Sequence, residues 1–253
     1  MKTFLPAQSP TTHPKTLILG LGQTGLSCAR HLRSQGLMVA VTDSRANPPG
    51  LAVAREEMPD LPLFLGSFDA DALAVAERLV VSPGIPLSEP PLAQAKARGL
   101  EILGDIELFA RAAQAPVAAI TGSNGKSTVT TLLGEMARVS GLRTAVGGNL
   151  GEPALDLLNP AVELYVLEVS SFQLETTWSL RPRVATVLNI SADHLDRYPS
   201  LDAYAATKAS LLLGAEVALL NRDDPRVAAM AGMAGQDIWF GLGAPTTESD
   251  HGL

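Results

Sequence analysis

The sequence predicts an α/β protein made of two consecutive parallel-sheet units, and three observations carry that prediction. Short apolar strand patterns alternate with helical patterns along the 253 residues, as in βαβ units. The strands are near-continuous apolar runs that end in glycine or polar loops, the pattern of strands buried on both faces. A strand, a glycine loop and a helix then begin twice, once at Thr16 and again at Val117.

The first unit starts with strand "TLILG" (16–20) and the glycine loop "GLGQTG" (20–25). "TGLSCARHLRSQG" (24–36) has helical spacing through Leu26, Ala29, Leu32 and Arg33, and Gly36 stands as its stop. Strand "MVAVTD" follows, then "RLVVSPGIP" as a strand breaking into a loop, helix "PPLAQAKARG" and strand "LEIL". "GDIELFARAAQAP" reads as a helix with a proline stop, which places the boundary between units 1–112 and 113–253. The second unit runs strand "VAAIT", a glycine loop, a helix over 126–140, and strands "RTAVGG", "ELYVLEVS" and "RVATVLNI". A helix over 201–213 and strands "EVALLN" and "DIWFGL" complete it. The last stretch, "GAPTTESDHGL", is polar and turn-like, with no closing helix or strand.

Composition narrows the function. Apolar residues make up 46% and charged residues 18%, which suits a globular core. A net charge of −7 argues against general affinity for nucleic acid or an anionic membrane. Anionic ligands would then be met by local charge, from helix N-termini, a few Lys or Arg, and metal ions. Cys28, the single cysteine, has no partner for an internal disulfide and is expected to be a small packed residue. The N-terminal "MKTFLPAQSPTTHPK" has no signal-peptide core, and nothing approaches the roughly 18 consecutive apolar residues of a membrane span. A cytoplasmic protein is expected.

Two loops carry phosphate signatures. "GLGQTG" matches G-x-G-x-x-G between a strand and a helix, and Asp43 ends the next strand 18 residues beyond Gly25. These residues leave open a nucleotide-type ligand, NAD among them, or a structural turn alone. "TDSR" (42–45) and "SPG" (82–84) lie at neighbouring strand tips and face the same crevice in such folds. In "ITGSNGKST" (120–128), Gly122 and Gly125 free backbone N–H groups for an anion. Lys126 offers charge to β/γ-phosphates and Ser127 a hydroxyl to Mg²⁺. The usual G-x-x-x-x-G-K-[ST] pattern would need glycine at Ile120, so the spacing is irregular.

Companion residues sit at three further strand tips. Glu168 ends the apolar run "LYVLE", where a carboxylate is costly unless paired or metal-bound. His194 stands between Asp193 and Asp196 in "NISADHLDRYPS", and Asn149 lies in "GGNLG". The chain has no N-K-x-D base-reading motif, which argues against a GTPase. By its local context Lys208 in "YAATK" reads as a solvated helix lysine.

Taken together and in order, "TGSNGKST", "GGNLG", "LEVSSFQLE", "NISADHLDRYP" and "YAATK" resemble the Mur ligases of peptidoglycan synthesis. "GLGQTGLSCAR", "TDSR", "SPGIP" and "LGDIELF" extend the resemblance over roughly 16 to 240, nearest to the branch whose acceptor is D-glutamate. In that family the loop reads T-G-x-N-G-K-[ST], so Ile120 is the family's own form. The resemblance implies a Rossmann-like first domain and a P-loop ATPase-like central one. It implies that the first holds the UDP part of UDP-N-acetylmuramoyl-L-alanine through Gln23, Thr24, Asp43, Ser44 and Arg45, with Ser82, Pro83 and Gly84 nearby. It assigns ATP to Gly122, Ser123, Asn124, Gly125, Lys126, Ser127 and Thr128, and substrate contacts to Asn149, Ser170 and Gln173. Ser127 and Glu168 would hold one Mg²⁺, and His194 with a carbamylated Lys208 a second. The implied reaction is amide formation through an acyl phosphate, with D-glutamate as the amine.

Against the family pattern, the chain is expected to stop before the central domain is complete and to lack the acceptor-binding domain. It is expected to be monomeric and not to ligate D-glutamate unaided. The rival readings are another Mur-type or folylpolyglutamate-type ligase, a dinucleotide oxidoreductase, and a non-catalytic UDP-sugar/ATP-binding fragment.

Overall fold

The computed structural model describes residues 16–245 and 250–252. The N-terminal stretch read above as lacking a signal peptide lies outside the described residues.

The first sheet is built from β1 (Thr16–Leu19), α1 (Gln23–Ser34), β2 (Val39–Asp43), α2 (Leu51–Glu57), β3 (Leu63–Leu65), α3 (Ala70–Val75), β4 (Arg78–Val81), α4 (Pro90–Ala97) and β5 (Glu101–Leu103). Its strand order is β3-β2-β1-β4-β5, parallel throughout. Every residue of β1 and β2 is buried, as strands covered on both faces must be. Strand β1 lies between β2 and β4, so the direction of winding reverses there and opens a crevice at the strand tips. The close turn into α1 demands glycine at 25, because a β-carbon there would stand 1.9 Å from the Gly20 carbonyl oxygen. The sequence reading had no elements between β2 and β4. The missing α2 and α3 are seven and six residues long and β3 is three, too short to display a period.

After α5 (Asp105–Ala112) comes the second sheet: β6 (Val117–Thr121), α6 (Lys126–Val139), β7 (Thr144–Gly148), β8 (Leu164–Glu168), α7 (Ser171–Leu174), β9 (Val184–Val187), α8 (Leu201–Ala209), β10 (Val217–Asn221), α9 (Pro225–Ala228), β11 (Gln236–Phe240) and β12 (Asp250–His251). The order is β12-β11-β10-β9-β6-β8-β7, again all parallel. Strand β6 lies between β8 and β9, so the loops after these three strands converge. Two expectations need correction. The helix expected over 201–213 ends at Ala209 and tightens into a 3-10 turn at Ser210–Leu212. The polar tail does contain a strand, since Trp239 and Phe240 pair with Asp250 and His251. Two polar residues on a sheet edge carry no apolar signal to read.

Helix α5 joins the two sheets. Its Leu108 and Phe109 belong to one core running through both, and the Phe109 ring meets Tyr165 edge-on at 5.0 Å. Glu107, fully buried, accepts from the N–H groups of Trp178 and Ser179 at 2.9 Å each. It also accepts from the Ser179 hydroxyl at 2.7 Å and from Arg111 at 2.9 Å. Asp105 accepts from Gln173 Nε2 at 2.8 Å. Ser27 of α1 adds a bond to Asp156 at 2.7 Å. Cys28 is buried in this core, as expected, and burial pushes its thiol pKa up. Among the described residues, no helix is long and apolar enough to cross a membrane.

Candidate functional site

At the crevice of the first sheet lies a cavity of about 490 Å³. Gly20, Gly22, Gln23 and Thr24 wall it after β1, Asp43, Ser44 and Arg45 after β2, and Ser82, Pro83, Gly84 and Ile85 after β4. The second sheet contributes Asn149, Ser170 and Phe172 to the same wall. Ten of the sequence-nominated residues therefore meet in one space. Three apolar members, Phe68, Ile85 and Phe172, were not nominated, because nothing in a lone Phe or Ile separates a pocket wall from a core.

Asp43 is 2% exposed and is committed inside the protein. Its carboxylate accepts from the Leu21 N–H at 2.7 Å, the Arg45 N–H at 2.9 Å, and Arg45 Nε and Nη2 at 2.9 and 2.7 Å. Burial works to raise its pKa. The Arg45 guanidinium and the two backbone donors outweigh that and hold it at about 2. A carboxylate so engaged fixes the Gly-x-Gly turn and aims Arg45, rather than standing free for a ribose hydroxyl as the dinucleotide reading requires. Asp43→Asn is expected to lower stability by about 1–3 kcal/mol at pH 7. The wild-type contribution is present above the ordinary carboxyl pKa and is lost as pH falls through about 2. Denaturant titrations of both proteins at pH 7 and pH 3 check this, with the difference shrinking at the lower pH.

The phosphate loop joins β6 to α6. Gly122 and Gly125 have φ of +148° and +80°, conformations open to glycine. The loop is clamped by the segment after β9. Asn124 N–H donates to Asn189 Oδ1 at 2.9 Å, and Asn189 Nδ2 returns a bond to the Asn124 carbonyl at 3.0 Å. Ser123 N–H donates to the Asn189 carbonyl, and Ser191 N–H to Ser123 Oγ at 3.0 Å. Lys126 Nζ donates to the Ser123 carbonyl at 3.0 Å, folded across its own loop. Ser127 and Thr128 are exposed on the first turn of α6.

Glu168, 2% exposed, is paired as the apolar context of its strand required. It accepts from Ser127 Oγ at 2.7 Å and from Asn149 Nδ2 at 2.6 Å. Asn149 is thus a wall of the cavity and a partner of the phosphate loop's carboxylate at once. His194 is half-exposed, with Nε2 3.4 Å from Asp193 and its ring 4.7 Å from Phe172.

Lys208 overturns its local reading as a solvated lysine. It is 1% exposed, donates to Thr121 Oγ1 at 3.3 Å, and places Nζ 4.7 Å from the Tyr204 ring centre. Burial and then the charge of Lys126 lower its pKa to about 7, against the opposing pull of Asp193 and Glu168. Gln173 sits apart from the cavity wall. Its Oε1 accepts from Ser170 N–H and Oγ, and its Nε2 serves Asp105. It closes the cap of α7 and so orients Ser170.

As a metal site, Ser127 and Glu168 offer two hard oxygens, which suits Mg²⁺ completed by phosphate and water. Among the described residues, no three His, Cys, Asp or Glu side chains gather as a metal cage. A protonated Lys208 supplies no ligand lone pair.

Residues 14–104 match the family model of the Mur ligase MurD-like N-terminal domain, and residues 120–248 that of the Mur ligase middle domain. The chain is 54% identical over 245 residues to UDP-N-acetylmuramoylalanine–D-glutamate ligase of Nitrosococcus oceani, covering 96% of this chain and 54% of that protein. It is 52% identical over 241 residues to the protein of the same name from Methylobacillus flagellatus, covering 94% and 53%. The chain spans about half the length of these curated relatives. The crystal structure of UDP-N-acetylmuramate:L-alanyl-gamma-D-glutamyl-meso-diaminopimelate ligase from Neisseria meningitides shares the fold, with a TM-score of 0.60 at 17% identity over 93% of this chain and 82% of that one. With both domain models matched in chain order, the chain belongs to the Mur ligase family.

Proposed function

We propose that this chain carries the UDP-sugar and ATP sites of a ligase that adds D-glutamate to UDP-N-acetylmuramoyl-L-alanine. One observation carries the reading: Asn149 walls the first-sheet cavity while bonding Glu168, which in turn bonds Ser127 of the phosphate loop. Two anion-binding loops thereby share one wall, as a reaction between a UDP-sugar and ATP needs. The sequence likeness to named D-glutamate ligases supports the choice of substrates. The division into units 1–112 and 113–253 belongs to the same proposal.

In this reading the diphosphate lies against the Gly20–Thr24 turn, with Arg45 supplying charge and residues 82–85 closing the crevice. The alanyl carboxylate oxygen bonds to the γ-phosphorus and ADP leaves. The amine of D-glutamate then bonds to the acyl carbon, loses a proton, and phosphate departs. The protein's own part is alignment and charge neutralisation. Lys126, released from the Ser123 carbonyl, meets the β/γ-phosphates, and the backbone N–H groups of Gly125, Lys126 and Ser127 surround them. Mg²⁺, held by Ser127 and Glu168, would supply charge stabilisation at the transferred phosphoryl group. His194 and Lys208 border Tyr204 beside this loop, and Lys208 is half neutral near pH 7. A neutral amine is the form that adds CO₂ to give a carbamate, the anionic ligand proposed for a second metal.

Calorimetric titration with UDP-N-acetylmuramoyl-L-alanine and then Mg-ATP tests the proposal. Both are expected to bind. Lys126→Ala is expected to weaken Mg-ATP at least about tenfold, the worth of one charge-assisted phosphate contact, and to leave the UDP-sugar affinity unchanged. A folded wild-type chain that binds no UDP-sugar would falsify the reading.

A further inference from the structure

The segment 189–198 touches both the phosphate loop and two residues of the cavity wall, Ile85 and Phe172. At its start Asn189 and Ser191 clamp the phosphate loop. At its centre His194 has φ +53°, and no other non-glycine among the described residues has positive φ. Such a conformation persists only where the surroundings enforce it. The N–H groups of Arg197 and Tyr198 both donate to the His194 carbonyl, which closes the turn.

Near the end of the segment, Arg197 has an 11% exposed side chain. Its Nε and Nη2 grip Glu175 at 3.1 and 2.6 Å. The same Nη2 donates at 3.3 Å to the carbonyl of Ile85, on the other sheet. The guanidinium carbon also lies 4.4 Å from the Phe172 ring centre. Ile85 and Phe172 are cavity-wall residues, one from each sheet, whereas Arg197 itself does not line the cavity.

We propose that Arg197 is a positioning residue that couples the two ligand sites. The proposal rests on the reading that the phosphate loop takes a nucleotide and the cavity a UDP-sugar. A nucleotide orders the phosphate loop and, through Asn124 and Asn189, the strained turn at His194. The turn sets Arg197, and Arg197 holds Ile85 and Phe172 in place as walls. Order imposed by the first ligand is not imposed again by the second, so each tightens the other by the same factor. Lysine cannot replace the planar fork, because one ammonium cannot hold both Glu175 oxygens, the Ile85 carbonyl and the Phe172 face together.

The test is titration of UDP-N-acetylmuramoyl-L-alanine with and without saturating Mg²⁺ and the non-hydrolysable imido analogue of ATP. The wild type is expected to bind the UDP-sugar about fivefold or more tightly when nucleotide is present. In Arg197→Lys and Arg197→Ala the ratio is expected to fall to about one, with nucleotide affinity by itself unchanged. Arg197→Lys keeps the charge beside Glu175 and so guards against a misfolded Arg197→Ala. A wild-type ratio of one, or a ratio retained in Arg197→Lys, overturns the coupling and leaves the functional reading standing. Absent UDP-sugar binding by the folded wild type overturns both.

Discussion

Lys208→Met is expected to stabilise the protein at pH 6 and to flatten its stability profile between pH 7 and 10. The wild-type lysine is 1% exposed, and its pKa falls from 10.5 in the unfolded chain to about 7 when folded. Between those values the unfolded chain holds a proton that the folded protein has released, so stability rises with pH. Below about 7 both states are protonated and the full cost of burying the ammonium is present. Burial is the largest cause, followed by repulsion from Lys126, while Asp193 and Glu168 offset part of it. Methionine nearly conserves the volume, removes the charge and sets a sulfur near the Tyr204 ring. The loss is one long bond to Thr121. The net gain at pH 6 is on the order of 3 kcal/mol, shrinking toward zero by pH 10. Urea unfolding at pH 6, 8 and 10 measures it, and parallel slopes for the two proteins would contradict the assignment. So costly a buried cation is consistent with the role proposed for its amine.

Glu107→Ala is expected to cost about 1–3 kcal/mol, because it strands the half-buried donors that one buried carboxylate now serves. Trp178 N–H, Ser179 N–H and the Ser179 hydroxyl lose their acceptor, and Arg111 keeps only Glu101. The damage falls where α5 meets the second sheet, so the two sheets are expected to lose their common cooperativity. Glu107→Gln is expected to recover about half of the loss, since its carbonyl still accepts the two backbone N–H groups. Its amide N–H groups then face Arg111 and the Ser179 hydroxyl, where acceptors are needed. Equilibrium unfolding followed by fluorescence reports on this region, because the Arg111 guanidinium lies 5.5 Å from the Trp178 ring centre. Equal stability of Glu107→Ala and wild type would remove Glu107 from its structural role.

The site was legible to very different degrees. Lys126, Ser127 and Glu168 were readable because a glycine loop followed by Lys-Ser and a carboxylate at a strand tip are local patterns. Gln23, Thr24 and Arg45 were readable for the same reason, as tips of buried strands. Phe172, Ile85 and Arg197 were not, since their places in or beside the cavity wall depend on neighbours far along the chain. Gln173 stood in the right motif, yet its amide turned inward to Asp105 and Ser170. Lys208 was the largest miss of local reasoning. Tyr204 is its neighbour one helical turn back, but its burial also needs Thr121 of β6, which only packing brings to it.

By itself, the sequence determined the two parallel α/β units, the order of their main strands and helices, and both phosphate signatures. These are local properties, set by periodicity, glycine conformations and the burial of apolar runs. The tertiary structure alone decided that Asn149 serves one loop while walling the cavity of the other. It also decided that Asp43 is held by the Leu21 N–H, that Glu107 fastens the two sheets, and that Lys208 lies in low dielectric. The physical reason is the same in each case: hydrogen-bond satisfaction and desolvation depend on which groups meet, and those groups lie up to 87 residues apart along the chain.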